Sequence, residues 1–174
     1  MSLNSPSLIA RPFGCDGYCL VVGEGRDRHW LEKFLTFTYS SLFPEQQEFH
    51  HLRQTVEQYF CGRTPLWWVY PQAIAEAKLF PTQASEPIAG LWLGNAIDQV
   101  TGERHGQIFM LYVTPPHRQK GIATALLQQA KYWCQQRGDR RLGLQVFSHN
   151  QPARNLYAKL GFAPKALILH HDWS

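Results

Sequence analysis

Residues 107–124 read QIFMLYVTPPHRQKGIAT, and the order of residue types in this stretch decides the fold. Ile108, Phe109, Met110, Leu111, Tyr112 and Val113 form an unbroken apolar run, which suits a central strand covered on both faces. Pro115 and Pro116 stop it, because proline has no N–H to give to a sheet ladder. Beyond them Ile122, Leu126, Ala130 and Trp133 recur at the period of a helix with one buried face, and Gly138 is placed to end that helix. Arg118, Gln119, Lys120 and Gly121 therefore sit in a short turn between a strand and a helix.

Working outward toward the C-terminus, Leu142, Leu144 and Val146 alternate within 141–147 and predict a strand. A short helix follows over 152–160, with Pro152 in its first turn and Gly161 just past its end. Residues 162–170, containing Leu167, Ile168 and Leu169, read as a closing strand. On the N-terminal side, Asp27 is a candidate N-cap, and Trp30, Leu31, Phe34, Leu35 and Thr38 mark an amphipathic helix that Pro44 must end. A second helix is expected over 45–60, with Phe49, Leu52, Val56, Tyr59 and Phe60 along one side. Strands are expected over 66–70 and 88–94, with one or two helical turns over 73–79 and a turn over 95–106. Strands alternating with helices give a mixed α/β protein, and the 174 residues are read as one domain, 1–174.

The composition narrows the class. With 44% hydrophobic and 17% charged residues the chain belongs with globular proteins rather than disordered ones. Its net charge of +4 favours anionic partners without naming one, and no Lys/Arg run or basic–aromatic stripe accompanies it, so no nucleic-acid partner is expected. Residues 1–9 lack the basic and apolar regions of a secretory signal, and no apolar stretch approaches the roughly 18 residues of a membrane span, so a soluble cytoplasmic protein with no membrane partner is expected. Cys15, Cys19, Cys61 and Cys134 are expected as reduced thiols, and their spacing gives no reason to expect a metal site.

The turn at 118–121 has a chemistry of its own. A helix start leaves its first backbone N–H groups unpaired and carries partial positive charge, so phosphate can bind there. Gly121 and Ala123 keep the approach open, Thr124 adds a hydroxyl, and Arg118 and Lys120 add charge. One glycine alone does not separate such a cradle from an ordinary tight turn. Neither a Walker A triplet nor the glycine triplet of a dinucleotide loop is present.

Arg118, Gly121 and Ala123 match motif A of the GNAT superfamily of N-acyltransferases, written as Arg or Gln, two residues, Gly, one residue, then Gly or Ala. Leu111, Tyr112 and Val113, followed by Thr114 and Pro115, match the strand end that leads into that motif. Asn150, Leu156, Tyr157, Gly161 and Phe162 resemble the later motif of the same superfamily, an Asn before a short helix that ends in Leu-Tyr, three residues and Gly-Phe. This resemblance to a GNAT N-acetyltransferase implies a central twisted, mostly antiparallel sheet with a splayed parallel strand pair, flanked by helices. It also implies acetyl-CoA as acyl donor and a primary amine, of a small metabolite or a protein, as acceptor.

Carried over residue by residue, the backbone of Leu111, Tyr112 and Val113 would hold the pantetheine arm and face the developing oxyanion. The backbone of Arg118, Gln119, Lys120, Gly121, Ile122, Ala123 and Thr124 would hold the pyrophosphate. Asn150 would contact the arm, and Tyr157 would be the general acid for the departing thiolate, although its spacing alone also fits a half-buried helix aromatic. Where several members of the superfamily carry a base, this chain has Gln107, which cannot take a proton. Glu103 and His105 lie nearby and read as solvated loop residues, while Cys134, near the far end of its helix, is not expected to carry an acyl group. Direct attack by the amine is expected, and the missing base leaves a non-catalytic CoA-binding or interaction module as the alternative. Acceptor identity and oligomeric state stay open, a homodimer among the options.

Overall fold

Five strands form one sheet in the order β1-β2-β3-β4-β5. The computed structural model describes residues 13–76, 86–171 and 173. The strands are β1 (Tyr18–Val22), β2 (Leu66–Pro71), β3 (Ala89–Ile97), β4 (Arg104–Val113) and β5 (Leu142–Leu144). The first four pair antiparallel in sequence order, and β5 pairs parallel to β4. Helices α1 (Arg28–Leu42), α2 (His50–Tyr59), α3 (Gln72–Glu76), α4 (Ile122–Gln136) and α5 (Gln151–Lys159) complete the described elements, with single 3-10 turns at Gly25–Asp27 and Pro115–His117. The mostly antiparallel sheet with one parallel pair is the architecture the resemblance implied.

Each face of the sheet has its own core. On one, Leu31, Phe34 and Leu35 of α1 and Leu52 and Val56 of α2 meet Trp68, Trp92 and Met110. On the other, Ile122, Leu126 and Ala130 of α4 meet Leu20, Val69, Leu91 and Leu93, and α5 adds Leu156 and Tyr157, with Leu160 just past its end. Trp68 and Trp92 are fully enclosed, yet neither indole N–H has a partner among the described residues. Removing ~200 Å² of each ring from water contributes about 4–6 kcal/mol as an upper bound, against about 1–3 kcal/mol for the unmade hydrogen bond, so burial wins.

The sequence misplaced several boundaries. β1 was not anticipated, although Tyr18–Val22 is a β-prone run between Gly17 and Gly23. α2 begins at His50 rather than 45, because the connection satisfies itself as a turn: the Gln46 amide donates to the Phe43 carbonyl (3.1 Å) and the Gln46 side chain to the Glu48 carbonyl (2.9 Å). α3 ends within the described residues at Glu76, and 77–79 lie outside them. The expected 95–106 turn is confined to 98–103, since β3 and β4 run on to Ile97 and back from Arg104. β5 keeps only three of the seven residues expected of it, because the chain diverges from β4 after Leu144. The closing strand over 162–170 does not form: Leu167, Ile168 and Leu169 are exposed and outside the sheet. Three successive apolar residues commit neither face of a strand to the core, so their composition alone does not fix a pairing.

Candidate active site

The site is made where β4 and β5 part company. Their parallel pairing covers only Gly106 with Leu142, Gln107 with Gly143 and Ile108 with Leu144. Beyond it β4 runs on to Val113 while the other arm leaves through 145–150, and a wedge-shaped opening lies between them. At the same level β4 carries a bulge against β3: Leu93 faces Ile108 and Trp92 faces Met110, so Phe109 is left without an opposite residue. Its ring folds over Gly94, where any Cβ would overlap it.

Beyond the bulge, backbone direction decides which peptide groups face the opening. The Thr114 amide donates to the Ile88 carbonyl (2.9 Å), so Thr114 points toward β3. By the alternation of an antiparallel ladder, Tyr112 does the same, and Leu111 and Val113 turn their N–H and C=O toward the opening. The peptide group of Tyr112 is thus committed to the sheet, which corrects its expected place beside Leu111 and Val113. Its side chain packs instead between Phe34 and Phe37 of α1, with ring centroids 5.4 and 5.9 Å away.

The turn after β4 leaves backbone amides without acceptors. Gln119 (φ 61°) and Gly121 (φ 84°) are both left-handed, no side chain caps α4, and the first bond of that helix runs from the Ala125 amide to the Gly121 carbonyl (3.0 Å). The amides before Ala125 therefore have no intrahelical acceptor. Glycine is required at 121 for its backbone angle: a Cβ there would touch nothing within 4 Å but would be strained. Arg118, Gln119, Lys120 and Gly121 are exposed, Ala123 and Thr124 half-buried, and the Ile122 side chain belongs to the core, so Ile122 can offer only its backbone.

Arg118 does more than supply charge. Its Nε donates to the Val113 carbonyl (2.9 Å) and its guanidinium lies over the Tyr112 ring (5.6 Å), tying the turn back to the strand. Two contacts that the sequence did not reveal hold the turn from the other side: Tyr18 Oη with His117 Nδ1 (3.0 Å), and Cys15 Sγ donating to the Lys120 carbonyl (3.2 Å).

Across the opening, Asn150 is the N-cap of α5, its Oδ1 accepting from the Ala153 amide (3.3 Å). Tyr157, two turns on, is half-buried against Phe162 (5.8 Å), and burial pushes its phenol above the usual value. Leu111, Val113, Leu156 and Tyr157 pack against one core, so the end of β4 and α5 share a face of the sheet. The structure places the remaining candidates differently. Gln107 is half-buried and its Oε1 lies across Gly143, where a Cβ would overlap it. His105 is on β4 rather than in a solvated loop, half-buried, with Nδ1 enclosed and unpartnered among the described residues. Glu103 is a loop residue bridged to Arg140 at 3.2 Å. The Cys134 thiol is buried beside Asp139 and pushed up to about 11, first by burial and then by that carboxylate, so it stays protonated near neutrality. Among the described residues no group of three or more His, Cys, Asp or Glu could hold a metal ion, and no helix is long and apolar enough to cross a membrane.

The sequence matches the model of the Acetyltransferase (GNAT) family over residues 30–162. It is 35% identical over 67 residues to the uncharacterized N-acetyltransferase YobR of Bacillus subtilis (strain 168), an alignment covering 38% of this chain and 26% of that protein. The chain spans between 26% and 51% of the length of the curated relatives it matches. Among solved structures, an acetyl transferase-like protein from Pyrococcus furiosus superposes with a TM-score of 0.69 at 22% identity, covering 90% of this chain and 99% of that one. AAC(6')-Iy, solved with the bisubstrate analog CoA-S-monomethyl-acetylneamine, superposes with a TM-score of 0.62 at 15% identity, covering 90% and 99%. At such identities the structural likeness speaks for the fold.

Proposed function

The chain belongs to the GNAT acetyltransferase family, and on that premise we propose that it moves the acetyl group of acetyl-CoA to a primary amine by direct attack. The observation that carries the reading is the coincidence at one level of β4 of the Phe109 bulge and the end of pairing with β5, below a turn with two left-handed residues and an uncapped helix start. A pyrophosphate fits the turn by its backbone geometry, and an extended thioester arm fits the unpaired edge of β4. Acetyl-CoA supplies an activated acyl group there. Every further step belongs to the chain.

The N–H groups of Leu111 and Val113 face the opening and would stabilise negative charge on the carbonyl oxygen, a contribution of about 3 kcal/mol per donor. The Asn150 side-chain N–H₂ remains for the arm while its oxygen caps α5. Tyr157 is the proton donor for the departing thiolate: a raised phenol is fully protonated at neutral pH, at the expense of driving force, so its effect depends on position. No carboxylate stands at Gln107, and proton removal from the amine is left to water or to an acceptor of low pKa.

Release of free thiol from acetyl-CoA in the presence of an amine panel, with calorimetry of CoA binding, tests the reading; neither binding nor release would end it. Gln107 favours the second reading, a module that binds CoA without transferring its acyl group, and binding without release against every amine would select it.

A further inference from the structure

Helix α1 bridges the opening. Phe34 and Phe37 pack on Tyr112 of the β4 arm, while Tyr39 and, just past the helix, Phe43 reach Phe147 on the arm beyond β5, at 6.1 and 4.8 Å between ring centroids. His149 joins the group, 5.3 Å from Phe43 and tilted by 27° to Phe147 at 5.8 Å, and His51 of α2 meets Tyr39 edge to face at 6.5 Å. The opposite face of the opening is filled by the α4–α5 core, Tyr157 included, so an acceptor has the α1 face by which to enter.

The state of the Tyr39, Phe43, Phe147 and His149 rings indicates what they meet. Cations of the protein lie over other rings: Arg28 over Phe60, Lys33 over Trp30 and Phe37, Arg118 over Tyr112 and Arg137 over Trp133. Among the described residues none lies over Tyr39, Phe43, Phe147 or His149, and Phe147 is left 42% exposed at the mouth of the opening. No carboxylate belongs to this wall; Glu45 and Glu48 lie in the neighbouring α1–α2 connection and form no ion pair among the described residues. The wall has no carboxylate to hold a polycation, and the Arg154 guanidinium, whose Nη1 donates to the Ser148 carbonyl between Phe147 and His149 (3.0 Å), repels one, so the partly exposed faces and edges suit a flat apolar group with a single amine.

Resting on the acyl transfer proposed above, we infer that Tyr39, Phe43, Phe147 and His149 form the acceptor subsite and that the acceptor is an amine carried on a short arm from an aromatic ring. The ring of the acceptor lies against Phe147 and Phe43 while its amine reaches into the opening toward Leu111 and Val113. Burial of one ring against such a wall sets affinity for the acceptor and leaves the bond-making step to the groups already described.

The test compares kcat/KM for 2-phenylethylamine, n-hexylamine, spermidine and a lysine-containing peptide at saturating acetyl-CoA. The expected result is a preference of about tenfold or more for 2-phenylethylamine over the other three. Phe147→Leu, which keeps bulk and removes the ring, should bring that preference to within about threefold through acceptor KM, with acetyl-CoA KM unchanged. Glu45→Gln with Glu48→Gln should leave it intact. Acyl transfer that favours spermidine or the peptide, or a preference that survives Phe147→Leu, overturns the inference and leaves the transferase reading standing. Absence of thiol release with 2-phenylethylamine, despite CoA binding, overturns the inference, and only absence of release across the whole amine panel removes the transferase reading as well.

Discussion

The Tyr18 hydroxyl lies 3.0 Å from His117 Nδ1, so the edge strand β1 reaches the turn that follows β4, ninety-nine residues further along the chain. The two rings meet edge to face at 5.7 Å. With the Cys15 thiol on the Lys120 carbonyl, the segment around β1 holds this turn from outside the stretch that forms it.

Removing the hydroxyl should therefore weaken the cofactor turn without unfolding the protein. A part-buried hydrogen bond of this kind contributes about 0.5–1.5 kcal/mol, so Tyr18→Phe should raise the dissociation constant for CoA about two- to tenfold. Calorimetry with CoA measures it, and an unchanged constant would show that the turn holds its shape unaided.

Tyr157→Phe should lower kcat by about one to three orders of magnitude while CoA affinity stays as it was. Burial raises the phenol above the ordinary tyrosine value of about 10, so its neutral, proton-bearing form persists throughout the neutral range. A kcat profile should accordingly show no alkaline fall due to this group below about pH 10. A fall near neutrality that disappeared in Tyr157→Phe would contradict the assignment.

Gly121 sits at φ 84°. A side chain there meets no neighbour, so the penalty of Gly121→Ala is that of the left-handed backbone, about 1–2 kcal/mol, and Gly121→Asn should be milder. Denaturant unfolding of the two variants gives the order, and loss of CoA affinity should follow it. Equal stability of both with the parent would mean that the turn relaxes to another conformation.

Asp139, with its side chain 1% exposed, accepts from Arg137, and Arg104 Nη2 donates to it at 3.3 Å. Burial works against its charge, but the bonds and charge of Arg137, then the charge of Arg104, outweigh it and hold the carboxyl below its usual value. A lowered folded value gives stability that is present above the unfolded value of 3.8 and is lost as pH falls through the folded one. Asp139→Asn should lose about 2–4 kcal/mol at neutral pH, less than a fully buried pair because Arg104 can return to water. The variant should also flatten the dependence of stability on pH below about 4, as read by urea unfolding.

The parts of this protein that were legible in its sequence are those where local chemistry and final position coincide. The apolar run ending at Pro115, the turn around Gly121 and the spacing of Ile122, Leu126 and Ala130 each declare their own structure. The likeness of Asn150 and Tyr157 to a known motif placed α5, which the structure finds within a residue of expectation. What stayed hidden was fixed by partners far away in the chain. Tyr18 gives no sign of His117, the divergence after Leu144 shortens β5 without any breaker in 145–147, and Leu167 to Leu169 look like a strand but find no edge. Only packing shows that His105 is half-buried, or that the Tyr112 ring lies on α1 while its peptide group pairs with β3.

The Phe109 bulge leaves Phe109 and Met110 in succession on the α1 side and so reverses the parity of every later position in β4. In a strand of alternating polar and apolar residues that reversal would drive polar groups into one core and apolar groups out of the other. Here all six residues from Ile108 to Val113 are apolar, so either parity is acceptable and the extra residue is admitted at little penalty. The uniformity that makes this strand say nothing about its own facing is what makes it able to bend, and a polar substitution in it would write a facing into the strand that the opening could not obey.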